Sequence, residues 1–211
     1  MKLFRKVSLI AALAVALAAC SSSDDEEEIV VAELVDITAQ FEPKIQWQAQ
    51  VGDGVDGHFS RLMPAINQDV LYSAGRNGTV AAFNLASGEQ LWSVDVRKDP
   101  AGYFGSLFSA TLPARISGGL TVAYGKVFLG TENGDVMALD ITTGAVVWRK
   151  SVRGEVIAPP ATGEGLVIVN TGAGYLVALH PDDGDQRWEY EQEVPALTLR
   201  GISTPVVENG G

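Results

Sequence analysis

Few side chains in this sequence are of a type that does covalent or metal chemistry, and their spacing narrows what they can do. Cys20 is the single cysteine, so the sequence holds no internal disulfide, no CxxC redox pair and no thiolate zinc site of the usual kind. The two histidines, His58 and His180, fall outside any HxxxH or HExxH spacing, which leaves imidazole-based metal catalysis without material. Asp53 and Asp56, in DGVDG, resemble a calcium loop only faintly, because an EF-hand needs oxygen ligands at alternate positions and a distal Glu. That segment reads as a Gly-rich connecting loop, with His58 as a solvated loop residue. Ser60 and Ser109 have no His-and-acid partners in a recognisable motif, so nucleophilic hydrolysis has no support. Charge removes another class: 15 Lys and Arg stand against 26 Asp and Glu, a formal net charge of -11. Such a surface repels phosphate backbones, and no nucleic-acid partner is expected.

The cysteine acquires a role from its neighbours. Lys2, Arg5 and Lys6 form a basic n-region, residues 7–16 form an apolar stretch of signal-peptide length, and Leu17, Ala18 and Ala19 lead into Cys20. The tetrapeptide resembles a bacterial lipobox, whose cysteine is acylated and becomes the new N-terminus. One acyl chain holds weakly, so a durable anchor requires more than one. Ser21 stands where an Asp would resemble an inner-membrane retention signal, so the resemblance implies the periplasmic leaflet of the outer membrane. Ser21, Ser22, Ser23 and the acidic run 24–28 cannot bury anything and read as a solvated tether. No later apolar run reaches the ~18 residues of a membrane span.

The elements that must carry any site come from a repeat. Segments 72–92, 128–148 and 168–188 superimpose without gaps: glycines recur at 78, 134 and 174, alanines at 82, 138 and 178, glycines at 88, 144 and 184, and Trp92, Trp148 and Trp188 close the units. The Trp spacing of 56 and then 40 places an insertion in 97–116. Asn133-Gly134 predicts a two-residue type I′ hairpin, and Ser87-Gly88, Thr143-Gly144 and Asp183-Gly184 predict the next turn. Asn84, Asp140 and His180 precede those turns and are expected to cap them by bonding nearby backbone N–H groups. A further short strand is expected ahead of each unit, in 62–67, 116–123 and 156–162. Four short antiparallel strands in about 40 residues make a propeller blade, and 46% hydrophobic residues suffice to pack one.

The expected fold class is all-β: a β-propeller of four-stranded antiparallel blades, here an incomplete arc of about three. The expected organisation is a lipoprotein signal peptide at 1–19, the lipidated Cys20 and acidic tether at 20–40, and a partial propeller at 41–211. Its blades fall at about 60–96, 114–153 and 155–192. Trp47 reads as the outermost strand of a closing blade, and about 200–211 reads as the start of a fourth. Three blades and two orphan strands do not close a ring, so the sequence is expected to be the N-terminal part of a longer propeller.

ALDITTGAVVW at 138–148, with weaker copies AAFNLASGEQLW at 81–92 and VALHPDDGDQRW at 177–188, resembles the repeat of the quinoprotein (PQQ-like) β-propellers. In such repeats the Trp packs between adjacent blades. Quinoprotein dehydrogenases hold pyrroloquinoline quinone with calcium, an Asp base and often adjacent cysteines, and this sequence shows no such set. Lipobox, acidic tether, cofactor-free propeller repeat and PALTLRG at 195–201 together resemble the BamB family, propeller lipoproteins of the machinery that inserts β-barrels into the Gram-negative outer membrane. The resemblance implies a non-catalytic scaffold without cofactor or metal. It implies the insertase BamA, through its POTRA region, the rest of the Bam complex and nascent outer-membrane proteins as partners, and the membrane as anchor through Cys20. It also implies Leu197, Leu199 and Arg200 as the partner-binding residues. An extended segment puts the two leucines on one side and frees Arg200 to meet carboxylates or carbonyls. The residues alone leave a second arrangement open, with both leucines under the third blade and Arg200 paired with Glu191 or Glu193. The alternatives for function are a PQQ-dependent dehydrogenase-like enzyme and a propeller lipoprotein with another periplasmic partner.

Overall fold

The computed structural model describes residues 40–58, 60–97, 112–193 and 203–208. The signal peptide, Cys20, the tether to residue 39, Ser109 and the partner residues Leu197, Leu199 and Arg200 lie outside the described residues. The chain divides into two units, Met1–Lys44 and Ile45–Gly211. Of the first, only 40–44 are described, and all are exposed. The architecture that follows is that of the second.

Twelve strands are present among the described residues, in three separate sheets of four. Blade 1 consists of β1 (Ala65–Asn67), β2 (Val70–Ala74), β3 (Thr79–Asn84) and β4 (Gln90–Asp95). Blade 2 consists of β5 (Thr121–Ala123), β6 (Lys126–Gly130), β7 (Asp135–Asp140) and β8 (Val146–Ser151). Blade 3 consists of β9 (Ala161–Gly163), β10 (Leu166–Asn170), β11 (Tyr175–Leu179) and β12 (Gln186–Glu191). Within each blade the strands follow chain order and every neighbouring pair is antiparallel. The connection from Asp95 to Thr121 is longer by 16 residues than that from Ser151 to Ala161, which accounts for the unequal Trp spacing.

One turn differs from the sequence expectation. At Asn133-Gly134 only Gly134 has positive φ, 78°. Gly134 N–H donates to Thr131 O (3.1 Å) and Thr131 N–H donates to Asp135 O (2.9 Å), so the loop is three residues long, a turn followed by one left-handed glycine. The Thr131 hydroxyl accepts the Asp135 N–H (3.0 Å) and ties the extra residue down. Two-residue turns with positive φ at both positions instead join β5 to β6 at Tyr124-Gly125 and β9 to β10 at Glu164-Gly165. The first strands of the blades, β1, β5 and β9, are also shorter than expected. The residues ahead of them bond across blades rather than within one: Arg61 N–H to Ser117 O, Ile116 N–H to Arg76 O and Val156 N–H to Thr131 O.

Each third-to-fourth strand pair carries a register shift at the same place, between Ala82 and Phe83, Ala138 and Leu139, and Ala178 and Leu179. The residue preceding each Trp is thereby left unpaired, and the Trp stands opposite the alanine: Trp92 with Ala82, Trp148 with Ala138 and Trp188 with Ala178. A strand without the extra residue would turn the ring to the other face, because side chains alternate with period two.

That face is the joint between blades. Tyr72, Ala74, Val80 and Ala82, flanked by Trp92 and Val94, pack on Val127, Leu129, Met137 and Leu139 of blade 2. Phe128, Val136, Ala138 and Trp148 of blade 2 pack on Val167, Val169, Val177 and Leu179 of blade 3. The middle sheet is thus covered on both faces, and β7 is buried residue after residue from Asp135 to Leu139. Each Val, Leu or Met withdrawn from water here contributes about 1.5–3 kcal/mol.

Candidate functional site

The expected partner segment lies outside the described residues, but both of its stems are described, and both belong to blade 3. Beyond the end of β12, Gln192 N–H donates to Gly174 O in the β10–β11 turn (2.8 Å). The chain returns at Ser203, whose carbonyl accepts from Asn170 Nδ2 at the end of β10 (3.3 Å). Val207 then lies so close to Gly163 that a Cβ there would meet its Cγ1 at 2.4 Å. Departure and return are therefore both bonded to the β10–β11 hairpin.

A charged and aromatic cluster stands beside the departing stem. The Arg153 guanidinium carbon lies 5.1 Å from the Tyr175 ring centroid, within cation–π range. Arg153 Nη1 donates to the Tyr175 hydroxyl (3.3 Å) and lies 3.8 Å from Glu189 Oε1. The Tyr175 hydroxyl in turn donates to Glu191 Oε1 (3.0 Å). The hydrogen bond to Tyr175 first, and then the Glu189 charge, hold the Arg153 pKa above its ordinary value. Glu191, one of the two partners that the second arrangement offers Arg200, already accepts from Tyr175.

The remaining candidates resolve into structural roles. Asn84 Oδ1 accepts from Ala86 N–H (3.0 Å) and Ser87 N–H (2.9 Å), and Asp140 Oδ1 accepts from Thr142 N–H (3.0 Å) and Thr143 N–H (2.8 Å). His180 Nδ1 accepts from Asp182 N–H at 3.4 Å, a weaker version of the same cap. Asp53 Oδ2 accepts from Asn77 Nδ2 (2.6 Å), and the exposed His58 ring lies 2.7 Å from the Asp56 carbonyl. The Ser60 hydroxyl donates to Ser117 O (3.0 Å). Among the described residues no group of three or more His, Cys, Asp or Glu side chains converges as a metal site.

The best-built feature is the Trp joint, and most of it was not legible from spacing. Trp47, Trp92 and Trp148 donate through Nε1 to the carbonyls of Leu85 (2.9 Å), Ile141 (3.1 Å) and Pro181 (2.9 Å), each one residue past the capping position of the following turn. The turn glycine lies beneath the ring: a Cβ at Gly88, Gly144 or Gly184 would come within 2.7 Å of Trp47, Trp92 or Trp148. Trp47 fills this place on blade 1, stacked on Phe83 at 6.2 Å, although residues 41–50 form no strand. A second missed element is the two-pronged pair between Arg76 and Glu132, Nη2 to Oε2 2.9 Å, which crosses the first joint. Opposite charges at equivalent repeat positions were its only signal.

Fold and repeat geometry are matched by the chain's relatives. Residues 36–105 and 76–211 match the family described as Outer membrane protein assembly factor BamB. The chain belongs to the BamB family. The BamB of Alteromonas naphthalenivorans is 45% identical over 182 residues, covering 84% of this chain and 43% of that protein. The BamB of Vibrio cholerae is 43% identical over 210 residues, covering 100% of this chain and 51% of its own length. The chain thus spans about half the length of these curated relatives. The crystal structure of BamB from Moraxella catarrhalis superimposes with a TM-score of 0.57 at 25% identity, over 70% of this chain and 40% of that one.

Proposed function

We propose that the protein is a non-catalytic scaffold of outer-membrane protein assembly, anchored by lipid on Cys20 at the periplasmic face of the outer membrane. It binds the insertase BamA through the POTRA region, joins the rest of the Bam complex and helps nascent outer-membrane proteins reach the insertase. The observation that carries this reading is the BamB family match across residues 36–211, and the names of the relatives support it. The contact is assigned to Leu197, Leu199 and Arg200. The support from geometry is that the described residues flanking that segment on either side, Gln192 and Ser203, both bond to the β10–β11 hairpin of blade 3.

Co-purification from detergent-solubilised membranes tests the reading. BamA is expected with the parent protein, and recovery of the protein without any insertase component overturns it. Leu197→Ala and Arg200→Ala are each expected to weaken BamA binding by about 2 kcal/mol or more, the scale of a desolvated anchor, with the melting temperature nearly unchanged. Parallel loss of melting temperature and binding would place the segment under blade 3 instead.

A further inference from the structure

Three blades of one strand plan in a single chain pose a pairing problem. Every joint uses the same ring, the same turn glycine and the same carbonyl, so the Trp contact does not specify which blade follows which. The residues around it differ from joint to joint. Two positions before the hairpin glycines Gly78, Gly134 and Gly174, the blades carry Arg76, Glu132 and Gly172. Arg76 crosses the first joint to Glu132, and the two side chains are only 10% and 6% exposed. At the second joint that position in blade 3 is a glycine, and two lysines of blade 2 instead pair with aspartates in the β11–β12 turn of blade 3. Lys126 Nζ meets Asp182 Oδ1 at 2.7 Å, and Lys150 Nζ meets Asp185 Oδ1 at 3.0 Å. In blade 1 the places of Lys126 and Lys150 are taken by Val70 and Val94, which pack against the first joint's core. In the blade 2 turn, Thr142 and Ala145 stand where blade 3 has Asp182 and Asp185.

We propose that these pairs are a blade-order code, which selects the correct neighbour for each face and contributes little to net stability. Blade 1 docked on blade 3 would bury Arg76 opposite a glycine and set Asp182 and Asp185 against valines. Blade 2 docked on the blade 2 of another copy would set Glu132 against Glu132 and leave both lysines over Thr142 and Ala145. Each wrong joint strands a charge, and a buried charge without its partner is strongly unfavourable, whereas a correctly formed buried pair roughly breaks even against apolar residues. The two lysine pairs, largely exposed on the acidic side, are individually weak and act as a second digit of the code. Repeat proteins are prone to this kind of misassembly, and discrimination against wrong neighbours answers it.

Refolding of the full chain from urea tests the proposal, with the recovered native monomer separated from misjoined oligomers by gel filtration. Arg76→Met with Glu132→Leu is expected to keep the parent's urea midpoint and lose about fivefold in the ratio of monomer to oligomer. Lys126→Ala with Lys150→Ala, at the other joint, is expected to fold and to lose monomer in the same way. Parent-like monomer recovery in both double variants overturns the proposal. Failure of the Arg76/Glu132 double variant to reach the native state also overturns it, because the pair would then be needed for stability rather than for order.

Discussion

At the scale of single residues, the turn caps show one job done by three side chains. Asn84 and Asp140 each accept two backbone N–H groups and one hydroxyl with a single oxygen, so an amide and a carboxylate are both competent. Of these two, only the carboxylate titrates. The Thr143 N–H, together with the Thr143 hydroxyl, holds the Asp140 pKa below its ordinary value, and a group with a depressed folded pKa stabilises above its unfolded pKa. That contribution disappears as pH falls through the depressed value. Asp140→Asn is therefore expected to be somewhat less stable than the parent near neutrality, with the gap in urea midpoint closing as the pH falls through and below the ordinary carboxylate range. A gap that stays constant across that range would show that the charge of Asp140 contributes nothing to the turn.

At the scale of elements, the glycine that follows each cap has two reasons to be glycine, and they separate. Gly144 sits at φ 74°, and the Trp92 ring occupies the space where its Cβ would go, 2.6 Å away. Gly165 sits at a similar φ of 70°, but nothing lies within 4 Å of its Cβ position. Gly165→Ala thus meets only the left-handed backbone penalty, about 1–2 kcal/mol. Gly144→Ala must also displace a ring packed in the joint, for a total of about 2–5 kcal/mol. Thermal unfolding of the two variants, with indole fluorescence as a second probe, is expected to show the larger loss and a fluorescence change only for Gly144→Ala. Equal losses would mean that the ring yields without cost.

At the scale of the whole molecule, stability is distributed by joint rather than by blade. Trp148 is 7% exposed, tilted against Phe128 at a 6.0 Å centroid distance and bonded to Pro181. Trp188, at the same repeat position in blade 3, is 39% exposed, and Tyr190 on the same face is 62% exposed. Trp148→Ala is expected to cost about 3–5 kcal/mol in this chain. For Trp188→Ala the expected cost is about 1–2 kcal/mol, in proportion to the area it buries. Urea unfolding of both variants checks the order, and an equal cost would show that Trp188 is covered as fully as its counterparts. Nearest-neighbour coupling of this kind is the general property of repeat architectures.

The sequence by itself determined the blade. The recurrence of glycine, alanine, capping residue and Trp at fixed offsets dictates strand, turn and strand because turn conformation and alternation are local, short-range physics. It determined the caps for the same reason, since Asn84 and Asp140 bond groups two or three residues away. Tertiary structure alone decided which face each Trp takes, because the bulge that turns the ring is a matter of register between two strands rather than of composition. It also decided the carbonyl that each indole meets and the meeting of Arg76 with Glu132, which are 56 residues apart. Those contacts depend on how one sheet lies against the next, and that placement is fixed only when the two apolar faces close on each other.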